Sequence, residues 1–475
     1  MAKAGVVSLP PPPAHLHLLG ICGYAVSGLA LALADLGYRV TGADEDAYPP
    51  TTDILRAAGV EFADTHTEQN LERWGTPQLV VLGNQVQAGN SELAAVRARG
   101  LPLVSEAEAQ GLLAAGRPRA VICGTHGKTT TASLCAWMLE GAGLRPGFRL
   151  GSTSRDFQAT VRLGDLRTPF VFEGDEYTTS ALDQRAKFLH WNPGVVTLLN
   201  LELDHPDIYP DLAAYRAPYL ELLASMPADG LLLVNGEDQG VIEMADSSSA
   251  TVRRWGLESG DWHLAQPIRT EAGQQFLEVA GPEELRVLLR LPMPGRHNAS
   301  NALAALATAV ALGAEPGAAA AAAATFRGAA RRFEVLGEAG QVTVVDDYAH
   351  HPTKLRATIA AARQRASAGE QLILVHVPHT YSRTRALLPE YRYAFAGADL
   401  VILGPIEPAR ERHLEGTVSS KDVAAIVEGT EVVLVGSAEE AIAVVKRRVH
   451  RPAQVVCSSV RGFDQVAARL LAELA

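Results

Sequence analysis

The chain has 475 residues, 47% of them hydrophobic and 20% charged, with a formal charge of −11. That length holds two or three domains, and the composition is that of an ordinary globular protein. The acidic balance argues against a general nucleic-acid or anionic-membrane binder, and no segment is apolar for long enough to span a bilayer.

Cys22, Cys123, Cys135 and Cys457 form no close pair, so neither a zinc site nor a disulfide framework is expected. A single lysine followed by Pro10 to Pro13 interrupts any signal-peptide core, which makes a cytoplasmic enzyme the expectation.

Residues 1–14 read as a flexible extension. A strand over 15–20 then runs into a turn carrying Gly20, Ile21, Cys22 and Gly23, and a helix through 36. Gly20, Gly23 and Gly28 resemble a dinucleotide turn, but the G-x-G-x-x-G spacing fails at Cys22 and Ala25, so the turn predicts only that a phosphate can approach. Strands over 38–42, ending at Asp44, and 79–83 alternate with a helix over 52–58, the pattern of a parallel α/β sheet. Arg117-Pro118 reads as a linker.

The most informative stretch follows. An apolar strand from Ala120 enters Gly124-Thr125-His126-Gly127-Lys128-Thr129-Thr130, and a helix is predicted over 130–140. Glycines let backbone N–H groups converge on phosphate oxygens at a helix N-terminus. The lysine reaches the outer phosphates and the threonine hydroxyl suits Mg²⁺. Ile122 stands where the general pattern has glycine, so the loop is a short form. Strands are predicted over 170–173, 195–200 and 231–235, a small antiparallel section over 250–292, and helical segments over 298–312 and 318–324. A third unit begins near Phe333, with strands over 342–345, 372–375, 400–403, 432–435 and 455–457, and an amphipathic helix over 465–475.

Several strand ends carry chemistry. Glu173, Asp175 and Glu176 end one strand beside the phosphate loop, where a Mg²⁺ ligand is needed. Glu202, Asp204 and His205 end the next. His297 and Asn298 open a helix that continues to Asn301, as a cap or as amides that read an adenine edge. Arg331 and Arg332 are paired at a domain junction, which suits γ-phosphate stabilisation. Asp346-Asp347-Tyr-Ala-His350-His351-Pro352 and His379-Thr-Tyr-Ser-Arg-Thr384 follow later strands, at the carboxyl edge where α/β proteins bind ligands.

In order, G-T-H-G-K-T-T, E-G-D-E, N-L-E-L-D-H, G-R-H-N-A-S-N-A, R-R-F-E and D-D-Y-A-H-H-P resemble the Mur ligase family of peptidoglycan synthesis, over residues 17–385. The resemblance implies a three-domain α/β architecture: a Rossmann-like UDP-sugar domain (15–117), a central P-loop ATPase domain (118–332) and a doubly wound C-terminal domain that presents the amine (333–475). It implies ATP and two Mg²⁺ as cofactors. Lys128 would hold the β/γ-phosphates, Thr129 and Glu173 the first Mg²⁺, and His205 the second. His297, Asn298 and Asn301 would face adenine, Arg332 would reach the γ-phosphate, and Asp347 and His350 would touch the ribose and phosphates. Gly20, Ile21, Cys22, Gly23, Asp44 and Asn84 would bind the UDP-sugar.

The carbamylated lysine of several relatives has no counterpart, because no lysine lies between Lys187 and Lys354. The activity implied is acyl-phosphate formation on the lactyl carboxylate of UDP-N-acetylmuramate, then attack by an amine. The turn at 19–23, Tyr48-Pro-Pro50 and the run 176–190 resemble the tripeptide-adding branch, while 379–384 resembles the L-alanine-adding branch. The segment 457–463 lacks the glycine cluster expected in both. The full set Lys128, Thr129, Glu173, His205 and Arg332 argues against a non-catalytic UDP-sugar-binding regulator, and the short loop without glycine at 122, with no clear arginine finger for a neighbouring subunit, against a motor ATPase. A monomer or weak homodimer, without nucleic-acid or membrane partners, is expected.

Overall fold

The computed structural model describes residues 8–48, 51–204, 206, 208–271, 273–409 and 411–475. Among these, three α/β sheets follow one another along the chain. The first joins β1 (His15–Leu19), β2 (Arg39–Ala43), β3 (Glu61–Ala63), β4 (Leu79–Leu82) and β5 (Leu103–Ser105), all parallel, in the order β3-β2-β1-β4-β5. Its central strands are buried along their whole length, as continuous runs such as Leu79-Val-Val-Leu82 require when helices cover both faces.

The central sheet takes β6 (Arg119–Cys123), β7 (Gly147–Ser154), β8 (Ala159–Arg162), β9 (Phe170–Gly174), β12 (Val195–Leu198), β13 (Leu231–Asn235) and β14 (Thr251–Trp255), in the order β14-β13-β12-β6-β9-β7-β8. Only β8 is antiparallel. β10 (Thr178–Ser180) and β11 (Asp183–Ala186) form a separate hairpin after β9. A small antiparallel sheet centres on β17 (Gln274–Ala280), with β15 (His263–Leu264) and β16 (Arg269–Glu271) on one edge and β18 (Arg286–Leu291) on the other. The antiparallel section is therefore shorter than 250–292, because residues 251–255 pair in parallel with β13.

The third sheet has the order β19-β20-β24-β21-β22-β23, from β19 (Glu334–Ala339), β20 (Val342–Asp347), β21 (Gln371–His376), β22 (Leu400–Leu403), β23 (Glu431–Leu434) and β24 (Ala453–Ser458). β19 is antiparallel and the rest parallel. Alternate residues of β20 and β21 enter two separate cores, one on each face. The terminal helix Val466–Leu474 buries Val466, Ala467 and Leu470 on one stripe.

Arg117, in the linker between the first two sheets, is pinned. It is buried, and its guanidinium donates to the carbonyls of Leu163 at 2.6 Å, Thr168 at 2.7 Å and Pro169 at 3.1 Å. The β7–β8 hairpin packs on the first unit's helix Tyr24–Asp35, where a Cβ on Gly28 would fall 2.2 Å from Thr160 Oγ1. That contact gives Gly28 a packing reason, separate from any phosphate. In the extension, Leu9 packs on the first core; residues 1–7 lie outside the described residues.

Candidate nucleotide and ligation site

β6 sits between β12 and β9, so three strand ends meet at one edge. The loop leaves β6 through two left-handed glycines, Gly124 (φ 130°) and Gly127 (φ 85°). A Cβ on Gly127 would lie 2.4 Å from Asn301 Oδ1, and one on Gly124 would lie 2.8 Å from the Asn200 carbonyl. The helix that follows is Lys128–Gly141, two residues longer at its start than the sequence predicts, because Gly127 turns the chain straight into it. No side chain caps it, so its first-turn N–H groups are the donors that a phosphate takes.

Asn200, after β12, clamps the loop. Its Oδ1 accepts from His126 N (2.7 Å), its Nδ2 donates to the His126 carbonyl (3.0 Å), and its own carbonyl accepts from Thr125 N (3.0 Å). The Thr125 hydroxyl donates to the Glu202 carbonyl at 2.9 Å. Thr130 is buried in the helix's first turn.

The charged groups pair within this frame. Lys128 Nζ donates to the Gly124 carbonyl (2.6 Å) and to Glu176 Oε2 (2.8 Å). Burial alone would lower the Lys128 pKa, but the carboxylates of Glu176 and Asp175 outweigh it and hold the value above the ordinary one. The Thr129 hydroxyl donates to Glu173 Oε1 (2.7 Å), and Gly151 N donates to Glu173 Oε2 (2.6 Å). Arg332, at the junction of the second and third units, stacks on Tyr348 of the third at 4.7 Å and brings Nη2 within 3.3 Å of Thr129 Oγ1. A hydroxyl and a buried carboxylate side by side form an all-oxygen donor set suited to a hard cation.

The third unit closes over the same edge. Asp204 receives Arg383 Nε at 2.8 Å, and Lys354 Nζ lies 3.8 Å away. Burial, opposed by Asp204, brings Lys354 down to about 8. Glu202 contacts His126 Nε2, lies 3.6 Å from His351 Nδ1 and accepts the Thr353 hydroxyl at 3.3 Å. Burial raises Glu202, yet the His126 hydrogen bond and the two imidazoles bring it to about 2. His126, Glu202 and His351 offer donor atoms within 4.8 Å of one another.

Other expected residues also bond within the protein. Asp347 takes Phe333 N (2.6 Å) on one oxygen and Ala349 N (2.7 Å) on the other, so it holds its own loop in place. His350 is buried, with Nδ1 against the Tyr348 carbonyl at 2.8 Å, and burial holds its pKa well below the ordinary value. Asn298 does not cap the helix Arg296–Ala311: Gly295 holds the cap position and Asn298 Nδ2 donates back to the Pro294 carbonyl at 2.7 Å. Asn301 packs under Gly127, and His297 is half-buried at the helix start. His205 lies outside the described residues.

In the first sheet, Gly20 N and Ile21 N donate to the Ala43 carbonyl at 2.8 and 3.2 Å, and Cys22 N donates to Asp44 Oδ2 at 2.8 Å. Gly23 is the N-cap of the helix Tyr24–Asp35, again with no side-chain cap. β4 neighbours β1, which brings the half-buried Asn84 beside this turn.

Lys354 stands in none of the motifs; Asn200 and Arg383 lie within quoted motifs, but their partners, and the division of labour between Arg331 and Arg332, carried no local signal. Asp204 and Arg383 are 179 residues apart, and nothing near either names the other.

The Mur ligase family, catalytic domain, matches residues 15–118, the Mur ligase middle domain 122–309, and the Mur ligase, glutamate ligase domain 331–461. A UDP-N-acetylmuramate--L-alanine ligase of Chloroflexus aggregans is 34% identical, covering 97% of this chain and 98% of its own. A UDP-N-acetylmuramate--L-alanyl-gamma-D-glutamyl-meso-2,6-diaminoheptandioate ligase of Escherichia coli is 35% identical, covering 77% of this chain and 79% of its own. The crystal structure of a murein peptide ligase from Psychrobacter arcticus superposes with a TM-score of 0.71 at 27% identity, over 97% of this chain and 98% of the other. The chain belongs to the Mur ligase family, and is an ATP-dependent ligase of peptidoglycan synthesis.

Proposed function

We propose that the chain joins the tripeptide L-Ala-γ-D-Glu-diamino acid to the lactyl carboxylate of UDP-N-acetylmuramate through an acyl phosphate. The observation that carries the reaction type is the meeting of Lys128, Thr129, Glu173 and Arg332 at one loop, with Arg332 arriving from across the hinge. In this reading the nucleotide's outer phosphates take the open N–H groups after Gly127, and Lys128 exchanges Glu176 for phosphate oxygens. Thr129 and Glu173 would hold a Mg²⁺, which would neutralise charge on the phosphates. The lactyl carboxylate oxygen attacks the γ-phosphorus and ADP leaves. Arg332 faces the charge that builds on the transferred group. The amine then attacks the acyl carbon and inorganic phosphate leaves, with Asp204, Arg383 and Lys354 holding the third unit closed against water.

The tripeptide reading draws support from the run 176–190, where the β10–β11 hairpin leads into Lys187, buried against Glu106 at 3.5 Å. The Escherichia coli relative acts on such a peptide by name. A second reading, L-alanine as acceptor, is favoured by the Chloroflexus aggregans relative, which matches 97% of the chain. Incubation with UDP-N-acetylmuramate, ATP and equal concentrations of tripeptide and L-alanine, followed by mass spectrometry, separates the two. The tripeptide product should dominate; a dominant alanyl product overturns the first reading in favour of the second.

A further inference from the structure

Arg331 and Arg332 are adjacent, yet their guanidinium groups serve different loops. Arg332 points to the phosphate loop. Arg331 turns the other way, into the carboxyl edge of the third sheet. There Nε donates to Asp346 Oδ2 (3.0 Å), Nη2 to the Ser459 carbonyl (2.7 Å) and hydroxyl (3.2 Å), and Nη1 to the Val460 carbonyl. Its main chain is held as firmly. Arg331 N donates to Glu334 Oε2 (2.9 Å), its carbonyl accepts from Tyr348 N (2.8 Å), and its φ of 59° is left-handed. A left-handed arginine persists only where the surroundings over-determine it.

The braced loop lies at a topological switch point. β24 and β21 are neighbours. After β24 the chain departs to the helix Val466–Leu474 on one face; after β21 it departs to the segment holding Tyr391 and Phe395 on the other. In open α/β sheets the ligand crevice opens where adjacent strands send their connections opposite ways. Ser459 and Val460 follow β24 at that point, and Val377 to Thr380 follow β21 beside them. Arg461, largely exposed, reaches Glu407 at 2.9 Å on the next loop, so the rim carries both signs of charge, as an amine bearing a carboxylate requires.

We propose that Arg331 is a positioning residue for the amine-accepting half of the reaction: it fixes the Ser459–Val460 wall while its neighbour Arg332 engages the phosphate loop, so that one dipeptide sets both half-sites. This rests on the ligase reading above. The first half forms an O–P bond from the lactyl carboxylate and breaks the β,γ-bridge to release ADP. The second forms the C–N bond, breaks the C–O bond to phosphate, and releases inorganic phosphate and a proton. Only the second uses the crevice.

The test compares the unchanged enzyme with Arg331→Met and Arg331→Lys. Hydroxylamine, a nucleophile small enough to need no acceptor pocket, traps the acyl phosphate as a hydroxamate. Arg331→Met should keep hydroxamate formation within about twofold while the acceptor KM rises about tenfold or more and the ATP KM stays put. Arg331→Lys should fall between, because an ammonium cannot span two carbonyls and a carboxylate as the planar fork does. If Arg331→Met fails to fold by circular dichroism, the same split in Arg331→Lys decides. Equal losses of hydroxamate and amide, or an unchanged acceptor KM, overturn the proposal. Absence of hydroxamate from the unchanged enzyme overturns the ligase reading itself.

Discussion

The phosphate-loop edge of the central sheet and the carboxyl edge of the C-terminal sheet both bend the chain through the left-handed region, by different means. The first places glycine there, at Gly124 and Gly127. The second uses Arg331 (φ 59°), Phe333 (51°), Thr380 (62°), Phe463 (42°), Asp464 (50°) and Gln465 (58°). A non-glycine residue in that region costs about 1–2 kcal/mol, so contacts must hold each one. Phe333 N is held by Asp347 at 2.6 Å, Thr380 N by the Glu407 carbonyl at 2.8 Å, and Phe463 lies over Gly404, where a Cβ would meet its ring at 3.2 Å. A glycine loop announces itself in sequence; a loop held by distant partners does not. The same residues explain the missing glycine cluster at 457–463: the backbone takes the left-handed turn from Gly462 onward without further glycines.

The sharpest break between the two edges is functional. Lys128→Ala should lower product formation by about a thousandfold or more, while calorimetry should find UDP-sugar binding intact, because the Gly20–Gly23 turn, where we propose that the UDP-sugar binds, belongs to another sheet. Substantial remaining ligation would remove the ATP site from this loop.

Next in size is the contact that joins the edges. Asp204→Asn takes the carboxylate from Arg383 and Lys354, both set against it across the interface. Removing one member of a buried ion pair costs about 3–5 kcal/mol. The thermal midpoint should fall, and small-angle scattering should give a larger radius of gyration. An unchanged radius would mean that other contacts close the third unit.

The glycine contrast itself is tested by opposite substitutions. Gly127→Ala drives a Cβ to 2.4 Å from Asn301 Oδ1 at φ 85° and should destabilise by about 1–2 kcal/mol. Gln465→Gly, at an exposed left-handed N-cap with no side-chain bond, should stabilise by about 0.5–1 kcal/mol. Urea midpoints shifting in the same direction would refute the contrast.

The smallest effect concerns the thiols. Burial pushes Cys22 and Cys123 up to about 12 and raises Cys135 and Cys457 as well, so all four stay protonated far above neutral pH. Iodoacetamide at pH 8 should label none without denaturant; rapid labelling of any one would place it at the surface.

The fold class, the three α/β units and the phosphate loop were legible in sequence because their signals are local: apolar strand runs, turn glycines, a lysine and threonine at fixed spacing. The strand-end carboxylates were legible too, through their position behind the loop. Three things were not. Asp347 stands in a ligand-facing motif, and only the fold shows that its oxygens bond two backbone N–H groups of its own unit. Residues 251–255 alternate like an antiparallel strand, yet β13 offers a free parallel edge. Arg331 and Arg332 read as one pair, and their divergence depends on a hinge conformation that no spacing encodes.

In the proposed route a carboxylate is phosphorylated at this loop before the amine arrives. UDP-N-acetylmuramate labelled with ¹⁸O in the lactyl carboxylate tests it directly. With ATP and acceptor, the released inorganic phosphate should carry one ¹⁸O, because the attacking carboxylate oxygen leaves with the phosphate. Amide product with unlabelled phosphate would contradict the acyl-phosphate route.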